Sequence, residues 1–177
     1  RETMHTSLAH DRTLRMTMTG LFTGMTIVLS MSIFSIPVPG GHLYFCDAII
    51  NIAAMLLDPF SAFIVGGLGS FFGDLLFYPA PMFVSLVAHG LQAVAVSIMS
   101  RKLQSREILG SAIGVTVGSI IMVAGYTIGR AYIYSTPEYA LIKLPFELLQ
   151  AGFGAVIAMT LCYPLKLKKL YRQIAHH

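Results

Sequence analysis

Long apolar stretches make up most of the chain, and short clusters of proline, glycine or charged residues interrupt them. Between these breaks lie six apolar segments, at roughly 16–36, 43–57, 60–78, 82–100, 109–134 and 144–165. A helix of about 20 apolar residues can cross a hydrocarbon core roughly 30 Å thick. The pattern therefore predicts an all-α integral membrane protein, in which residues 1–177 form one domain of six transmembrane helices.

The amino-acid composition excludes an ordinary soluble domain. Charged residues are 11% of the chain and hydrophobic residues 55%, whereas soluble domains carry roughly 25% charged residues. The two cysteines, Cys46 and Cys162, fall in segments predicted near opposite membrane faces, so we expect no disulfide between them. The sequence contains no CxxC motif or local Cys/His cluster, which predicts that there is no metal site.

The distribution of basic residues predicts how the helices are oriented. Basic residues are concentrated at one side of the predicted membrane. The opposite side has only Arg130, near the end of the fifth segment, and Lys143, in a predicted loop. Cytoplasmic loops of membrane proteins are enriched in Lys and Arg, so we predict that both termini are cytoplasmic. Ten of the twelve Lys and Arg residues lie on that cytoplasmic side: Arg1, Arg12, Arg15, Arg101, Lys102, Arg106, Lys166, Lys168, Lys169 and Arg172.

Polar residues inside the segments lie at a similar depth, in the outer half of the membrane. Residues three or four apart share a helical face, and five segments each offer a polar face at this depth. Charges are costly in lipid and usually face a bundle interior, so the pattern predicts a pocket open to the outside. The polar residues are Asp47 and Asn51; Asp74; Ser85, His89 and Gln92; Tyr126, Arg130 and Tyr134; and Glu147 and Gln150.

Each of these residues also has a purely structural explanation. Asp74 could cap a helix end, Arg130 could anchor at the interface or pair with Glu147, and His89 could be a hydrogen-bonded packing residue. Paired structural charges occur without any function. The convergence of five faces at one level favours a binding site over five separate explanations.

Small residues mark two helix faces. Gly20 and Gly24 form a small-xxx-small pattern in the first segment, and glycines 66, 67, 69 and 73 give the third segment a small face. Such faces let helices approach closely in lipid. We expect internal packing for the third segment and docking to another membrane subunit for the first.

Motifs for catalysis are absent from the chain. None of the five lysines follows a glycine, so there is no P-loop, and there is no HExxH motif. Gly69-Ser70 together with His89 only faintly resembles an intramembrane serine protease. We therefore predict a protein that is not an enzyme and has no catalytic residues.

Two stretches, GGHLYFCDAIINIAAMLLDPFSAFIVGGLGSFFGDLL and PAPMFVSLVAHGLQA, resemble a known family. They are similar to the substrate-binding S component of energy-coupling factor (ECF) vitamin transporters, and in particular to the branch associated with hydroxymethylpyrimidine and pyridoxine. The family pattern falls on His42-Leu43 and Asp47-Ala48, on the glycine-rich helix ending at Asp74-Leu75, and on Ser85 to His89-Gly90. The sixth segment, with Glu147, Gln150 and Gly152, resembles the final helix of the family.

The chain departs from the family pattern at three points. Tyr44-Phe45-Cys46 lengthens and alters the loop before Asp47, Asp58 replaces a glycine, and His89 stands where a lysine is usual. These departures bear on the choice of substrate, and we expect Tyr44-Phe45-Cys46 to matter most.

The resemblance implies a six-helix S-component bundle in the bacterial cytoplasmic membrane, which captures a vitamin at its outer face. It implies docking through Gly20 and Gly24 onto a transmembrane T subunit, and energy from two cytoplasmic ATPases. The chain itself would then need no cofactor, and nucleic acid is not an expected partner. The loops at Pro39, Gly40 and Gly41 and at Tyr78 and Pro79 would act as lids.

Combined with the polar faces, the resemblance predicts eight substrate-binding residues: Asp47, Asn51, His89, Gln92, Tyr126, Arg130, Glu147 and Gln150. Pyridoxine or hydroxymethylpyrimidine fits this mixed polarity. The alternative substrate is pantothenate, with its carboxylate bound by Arg130 or His89. Two alternatives of another class remain, a standalone proton-coupled transporter with Asp47, Asp74 or His89 as the relay, and an intramembrane hydrolase with Ser70 as the nucleophile.

Overall fold

The computed structural model describes the backbone of residues 2–176, and side chains from residue 10 onward except at positions 32 and 104. Arg1, one of the basic residues on the predicted cytoplasmic side, lies outside the described residues. The described helices are α1 (Glu2–Leu29), α2 (Cys46–Leu56), α3 (Pro59–Phe77), α4 (Met82–Lys102), α5 (Glu107–Tyr134), α6 (Pro137–Cys162) and α7 (Leu167–Ala175), with 3₁₀ turns at Ser32–Phe34 and Gln104–Arg106.

Among the described residues, four helices are long and apolar enough to cross a membrane, namely α3, α4, α5 and α6. Helix α2 is apolar but has only 11 residues, or about 16 Å at 1.5 Å per residue. Helix α1 is polar in its first half and apolar from Met16 onward. The chain is thus an all-α membrane bundle with a small β-hairpin, while six complete spans and their orientation stay predictions.

The first and sixth segments have different limits from those predicted. Helix α1 ends at Leu29, and the apolar residues after it form a 3₁₀ turn and the strand β1 (Ile36–Val38), which pairs with β2 (Gly41–Leu43). Hydropathy alone does not distinguish an apolar strand from a helix, which is why the first predicted segment extends to residue 36, beyond the end of α1. The second segment, predicted from residue 43, becomes helical only at Cys46, because Leu43 belongs to β2.

Helix α6 begins at Pro137, seven residues before the predicted start of the sixth segment. Thr136 caps it by accepting a hydrogen bond from the Tyr139 backbone N–H at 3.4 Å, and Pro137 occupies the first turn, where a missing N–H costs nothing. The prediction that Lys143 lies in a loop is therefore wrong. Its side chain is on the helix and only 2% exposed.

Helix α2 lies in the centre of the bundle, packed against α1, α4 and α6. Nearly all of its side chains are buried, including Asp47 and Asn51. Because α2 is buried on nearly all sides, it lies inside the bundle and does not need to span the bilayer by itself. Helix α2 ends at Leu56, and two residues later the Asp58 carboxylate caps α3 by accepting from the Ser61 backbone N–H at 3.1 Å. Burial opposes ionisation of Asp58, but hydrogen bonds from Ser61 and the nearby Arg15 outweigh it and lower its pKa.

Glycines bring the backbones of neighbouring helices into contact. A Cβ added to Gly66 in α3 would lie 2.6 Å from the carbonyl oxygen of His89 in α4, and one added to Gly73 would lie 2.6 Å from the Cβ of Ser30 in α1. The predicted internal packing of the third segment is therefore confirmed. Three glycines of α5, spaced four apart, approach α4 in the same way; they are Gly110, Gly114 and Gly118.

Helix α7 was not predicted as a separate element. The backbone turns at Lys166 (φ 60°), after which Leu167 and Tyr171 pack on the core beneath α2. On another side of α7, Lys168 and Arg172 form ion pairs with Glu107 at the start of α5. Helix α7 therefore covers part of the end of the bundle at which α5 begins.

Candidate functional site

A cavity of about 380 Å³ lies between the β-hairpin and the ends of α3, α4, α5 and α6. It contains hydroxyl, carboxylate, amide and cationic groups together with aromatic rings. This size and mixed character are typical of small-molecule sites. The lining residues are Ser30, Gly40, Gly41, His42, Tyr44, Cys46, Ser70, Asp74, Phe77, Tyr78, Pro81, His89, Tyr126, Arg130, Tyr134, Ser135, Lys143, Glu147 and Gln150.

The β-hairpin forms one wall of the cavity. Its two-residue turn is Pro39-Gly40, and Gly40 has φ +84°, the positive value that a turn with Pro followed by Gly requires. A Cβ on Gly40 would lie 3.0 Å from the Cβ of Lys143, so the turn rests directly on α6. The predicted lid loop at Pro39, Gly40 and Gly41 is thus the tip of a hairpin that packs against the buried Lys143.

Glu147 is the centre of a buried charge cluster. Its Oε2 accepts hydrogen bonds from Nη1 of Arg130 and Nζ of Lys143, each at 3.0 Å. The three side chains are 3%, 10% and 2% exposed, respectively. Buried charges persist only when they are paired and hydrogen-bonded. The pairing of Arg130 with Glu147, one of the structural explanations above, is therefore confirmed, and Lys143 joins it.

Arg130 also lies at the start of a π-helical turn, Arg130–Tyr134, with its guanidinium carbon 5.7 Å from the Tyr134 ring centre. The widened turn keeps Tyr126, Arg130 and Tyr134 all on the cavity wall. Such turns are frequent at functional sites.

Asp47 is held behind the cavity wall by two side-chain amides. Gln92 donates to its Oδ1 at 3.0 Å, and Gln150 donates to its Oδ2 at 2.6 Å. Gln150 in turn accepts from the Tyr44 backbone N–H at 2.9 Å, and Gln92 bonds Nδ1 of His89 at 2.7 Å. The network joins α2, α4 and α6 with the segment that follows the hairpin.

A second network contains Asp74, Ser85 and Tyr126. The Ser85 hydroxyl donates to Asp74 and also bonds the Tyr126 hydroxyl. The Tyr126 ring meets His89 edge-on, with ring centres 5.2 Å apart. Asp74 is therefore a cavity residue whose carboxylate bonds a side chain of α4.

Five of the eight predicted binding residues line the cavity: His89, Tyr126, Arg130, Glu147 and Gln150. The other three, Asp47, Asn51 and Gln92, are fully buried behind the cavity and do not line it, so a part for them in substrate binding stays a prediction. Of the predicted lid residues, Gly40, Gly41 and Tyr78 line the cavity, whereas Pro39 and Pro79 do not. Gly20 and Gly24 are exposed, with no other atom within 4 Å of a Cβ built on either.

Several lining residues were absent from the predicted set. Lys143 was missed because it was assigned to a loop, although its i, i+4 spacing to Glu147 is the spacing of a helical ion pair. Tyr44 and Cys46 both line the cavity. They belong to the stretch in which the sequence departs from the family pattern. That departure is the sequence feature that could have identified them as lining residues.

Cys46, Asp47 and His89 come together in space although they are not clustered in sequence. One potential metal-ligand atom from each lies within 4.8 Å of the others. Both carboxylate oxygens of Asp47 already accept amide hydrogen bonds, and Nδ1 of His89 bonds Gln92. The Asp47 oxygens and His89 Nδ1 therefore already have partners within the protein, and the expectation of no metal stays a prediction.

Comparison with known proteins gives two matches. A family model described as "ECF-type riboflavin transporter, S component" matches residues 11–169. A protein from Pyrococcus woesei, described as an uncharacterized protein in gap 3′ region, is 31% identical over 144 residues, which are 79% of this chain and 94% of the relative. This relative is archaeal, so residence in a bacterial membrane stays a prediction.

The family model spans nearly the whole bundle, including every helix that contributes to the cavity. The chain therefore belongs to the S components of ECF transporters, multi-pass membrane proteins that bind a vitamin for import with a transmembrane T subunit and ATPases, and that are not enzymes.

Proposed function

We propose that the cavity binds an uncharged heteroaromatic B vitamin at the outer face of the membrane. The charge balance of the wall carries this proposal. Two carboxylates, Asp74 and Glu147, stand against two cations, Arg130 and Lys143, and both cations already bond Glu147. An uncharged ligand leaves this buried balance intact, whereas an ionic one would add a charge without a free partner.

The aromatic groups of the wall support a ring-shaped ligand. Tyr44, Phe77, Tyr78, Tyr126 and Tyr134 all line the cavity. Aromatic rings pack well on other rings through offset or edge contacts. Among the described residues, the buried Ser70 Oγ and Tyr134 hydroxyl lack hydrogen-bond partners, and both residues face the cavity. Hydroxyls or ring nitrogens of a vitamin would supply partners for them.

Two vitamins and one vitamin precursor are candidate ligands of this uncharged class, and pantothenate is the charged alternative. Riboflavin is the ligand in the name of the matching family model. Pyridoxine and hydroxymethylpyrimidine are favoured by the sequence resemblance described above. Pantothenate is disfavoured, because its carboxylate would have to compete with Glu147 for Arg130 or Lys143.

Isothermal titration calorimetry on the full chain in detergent tests the proposal. The chain has no tryptophan, so its own fluorescence is a poor reporter. Riboflavin, pyridoxine, hydroxymethylpyrimidine and pantothenate are titrated into protein that has been dialysed to remove bound ligand. We expect saturable binding of one uncharged vitamin and none of pantothenate. Pantothenate binding that survives Asp47→Asn and is abolished by Arg130→Ala would contradict the proposal.

We infer that transport needs the partner subunits and that the Gly20 and Gly24 surface docks onto the T subunit. Both positions lie on the open face of α1, where close approach of a second helix meets no side chain of this chain. Liposomes containing only this chain should take up no vitamin. Uptake without ATP or partners would support the standalone proton-coupled transporter instead.

A further inference from the structure

A second cavity, of about 390 Å³, lies at the opposite end of the bundle from the vitamin cavity. Met55 and Leu56, at the inner end of the short helix α2, form its apolar part. Arg101 at the end of α4, Glu107 at the start of α5, and Lys168 and Arg172 of α7 form its polar part. The cavity therefore joins an apolar wall to a charged wall, on the side predicted to face the cytoplasm.

The charged wall carries an excess of positive charge. Three cations, Arg101, Lys168 and Arg172, stand against the single carboxylate of Glu107. Nζ of Lys168 lies 2.7 Å from Oε1 of Glu107, and Arg172 bonds the same oxygen. Within the described part of the chain, Arg101 forms no ion pair. One carboxylate thus serves two cations, and the third cation is left for an external anion.

The construction of α7 matches a position at the membrane surface. Leu167 and Tyr171 pack inward on the core, while Leu170 and Ile174 are 52% and 48% exposed on the neighbouring edge of the helix. The remaining face carries the basic residues. A short helix with a basic face and an exposed apolar edge, directly after a membrane-spanning helix, lies in the plane of the interface.

We propose that this second cavity binds the phosphate group of an anionic phospholipid. The Arg101 guanidinium donates to the phosphate oxygens, for which its planar pair of N–H donors is well suited. Lys168 and Arg172 complete the positive surface, and the first carbons of the acyl chains lie against Met55 and Leu56. Basic pockets between membrane helices on the cytoplasmic side are suited to such head groups.

Native mass spectrometry of the full chain tests this site with defined lipids. The probes are phosphatidylglycerol, phosphatidylcholine and inorganic phosphate. Phosphatidylcholine carries the same phosphate with a compensating positive charge, so we expect retention of phosphatidylglycerol in preference to it. We expect inorganic phosphate neither to be retained nor to displace the lipid, because it has nothing to place against Met55 and Leu56.

A matched pair of variants separates the cavity from general surface charge. Arg101→Gln removes the cation without an internal partner, and Arg106→Gln removes an exposed cation a few residues away that does not line the cavity. Arg101→Gln should weaken phosphatidylglycerol binding about fivefold, the usual effect of one cation near an anionic membrane surface, while Arg106→Gln should not. Equal loss in both variants, no preference for the anionic lipid, or displacement by inorganic phosphate would overturn the proposal.

Discussion

The side-chain amide of Gln150 donates a hydrogen bond of 2.6 Å to Asp47, across 103 positions of the sequence. Gln92 donates a hydrogen bond of 3.0 Å to the other carboxylate oxygen of Asp47. The charge at the centre of the bundle is therefore held by two neutral amides. Because these amides belong to α4 and α6, the carboxylate ties α2 to two of the helices whose residues line the cavity.

Replacing Asp47 with asparagine should destabilise the protein although the two side chains have the same shape. Asparagine has one acceptor oxygen, so one of the two amide donors would lose its partner while still buried. An unsatisfied buried donor costs about 1–3 kcal/mol. Thermal unfolding in detergent measures the effect. Asp11→Asn, at an exposed position of α1, is the control and should unfold like the parent; equal unfolding of Asp47→Asn would contradict the hydrogen-bond network.

Glu147→Gln should be more damaging than Asp47→Asn. It leaves Arg130 and Lys143 buried together without a negative charge, and an uncompensated buried charge costs about 3–5 kcal/mol. Adding Lys143→Met to Glu147→Gln should recover part of the loss, since it removes one of the two cations. Glu138→Gln changes an exposed carboxylate on the same helix and should have little effect. If the double variant Glu147→Gln/Lys143→Met is less stable than Glu147→Gln alone, the result argues against this charge cluster.

Two glycines of α6 provide a matched test of backbone approach. A Cβ on Gly154 would lie 2.5 Å from the Cβ of Asp47, whereas one on Gly152 meets no atom within 4 Å. Gly154→Ala should therefore push α2 away and cost about 1–3 kcal/mol by overpacking. Gly152→Ala should be neutral in the same unfolding measurement. Vitamin affinity should fall only in Gly154→Ala, because Asp47 positions Gln150 on the cavity wall.

Ser70→Ala should separate ligand binding from stability. The buried Ser70 hydroxyl has no partner among the described residues, so its removal should leave the unfolding temperature of the ligand-free protein unchanged or slightly higher. Vitamin affinity should fall roughly two- to tenfold if the ligand bonds this hydroxyl. Ser119 also has an unpartnered buried hydroxyl but does not line the cavity, so Ser119→Ala is the control. Equal vitamin affinities of Ser70→Ala and Ser119→Ala would show that the ligand does not bond the Ser70 hydroxyl.

Gly20→Leu combined with Gly24→Leu should prevent assembly with the T subunit and ATPases while leaving vitamin affinity unchanged. Both positions have open space around them within this chain, so the fold accommodates the added side chains. Co-purification with the partner subunits measures assembly. Gly152→Leu adds the same bulk on α6 and should assemble normally. Normal assembly of the Gly20→Leu/Gly24→Leu variant would show that the Gly20 and Gly24 surface does not dock onto the T subunit.

Local sequence patterns were enough to predict the membrane class and the approximate positions of the long helices, while the outer depth of the polar residues stays a prediction. Those properties depend on local hydropathy and on helix-breaking sequences such as Asp58-Pro59 and Pro79-Ala80-Pro81. Both can be read without knowing which distant residues are close in space. The family pattern was also local, because it is a run of residue types from His42 to Gln92.

The tertiary structure decided which polar groups reach the cavity. Asp47 and Gln92 lie behind the wall, although spacing along the helices placed them on the cavity face, whereas Lys143, predicted in a loop, lies on the wall. Spacing shows which residues share a face, but helix rotation, set by contacts such as Gly154 against Asp47, determines where that face points. The β-hairpin and α7 were likewise decided by contacts with α6 and with the core beneath α2, which are distant in sequence.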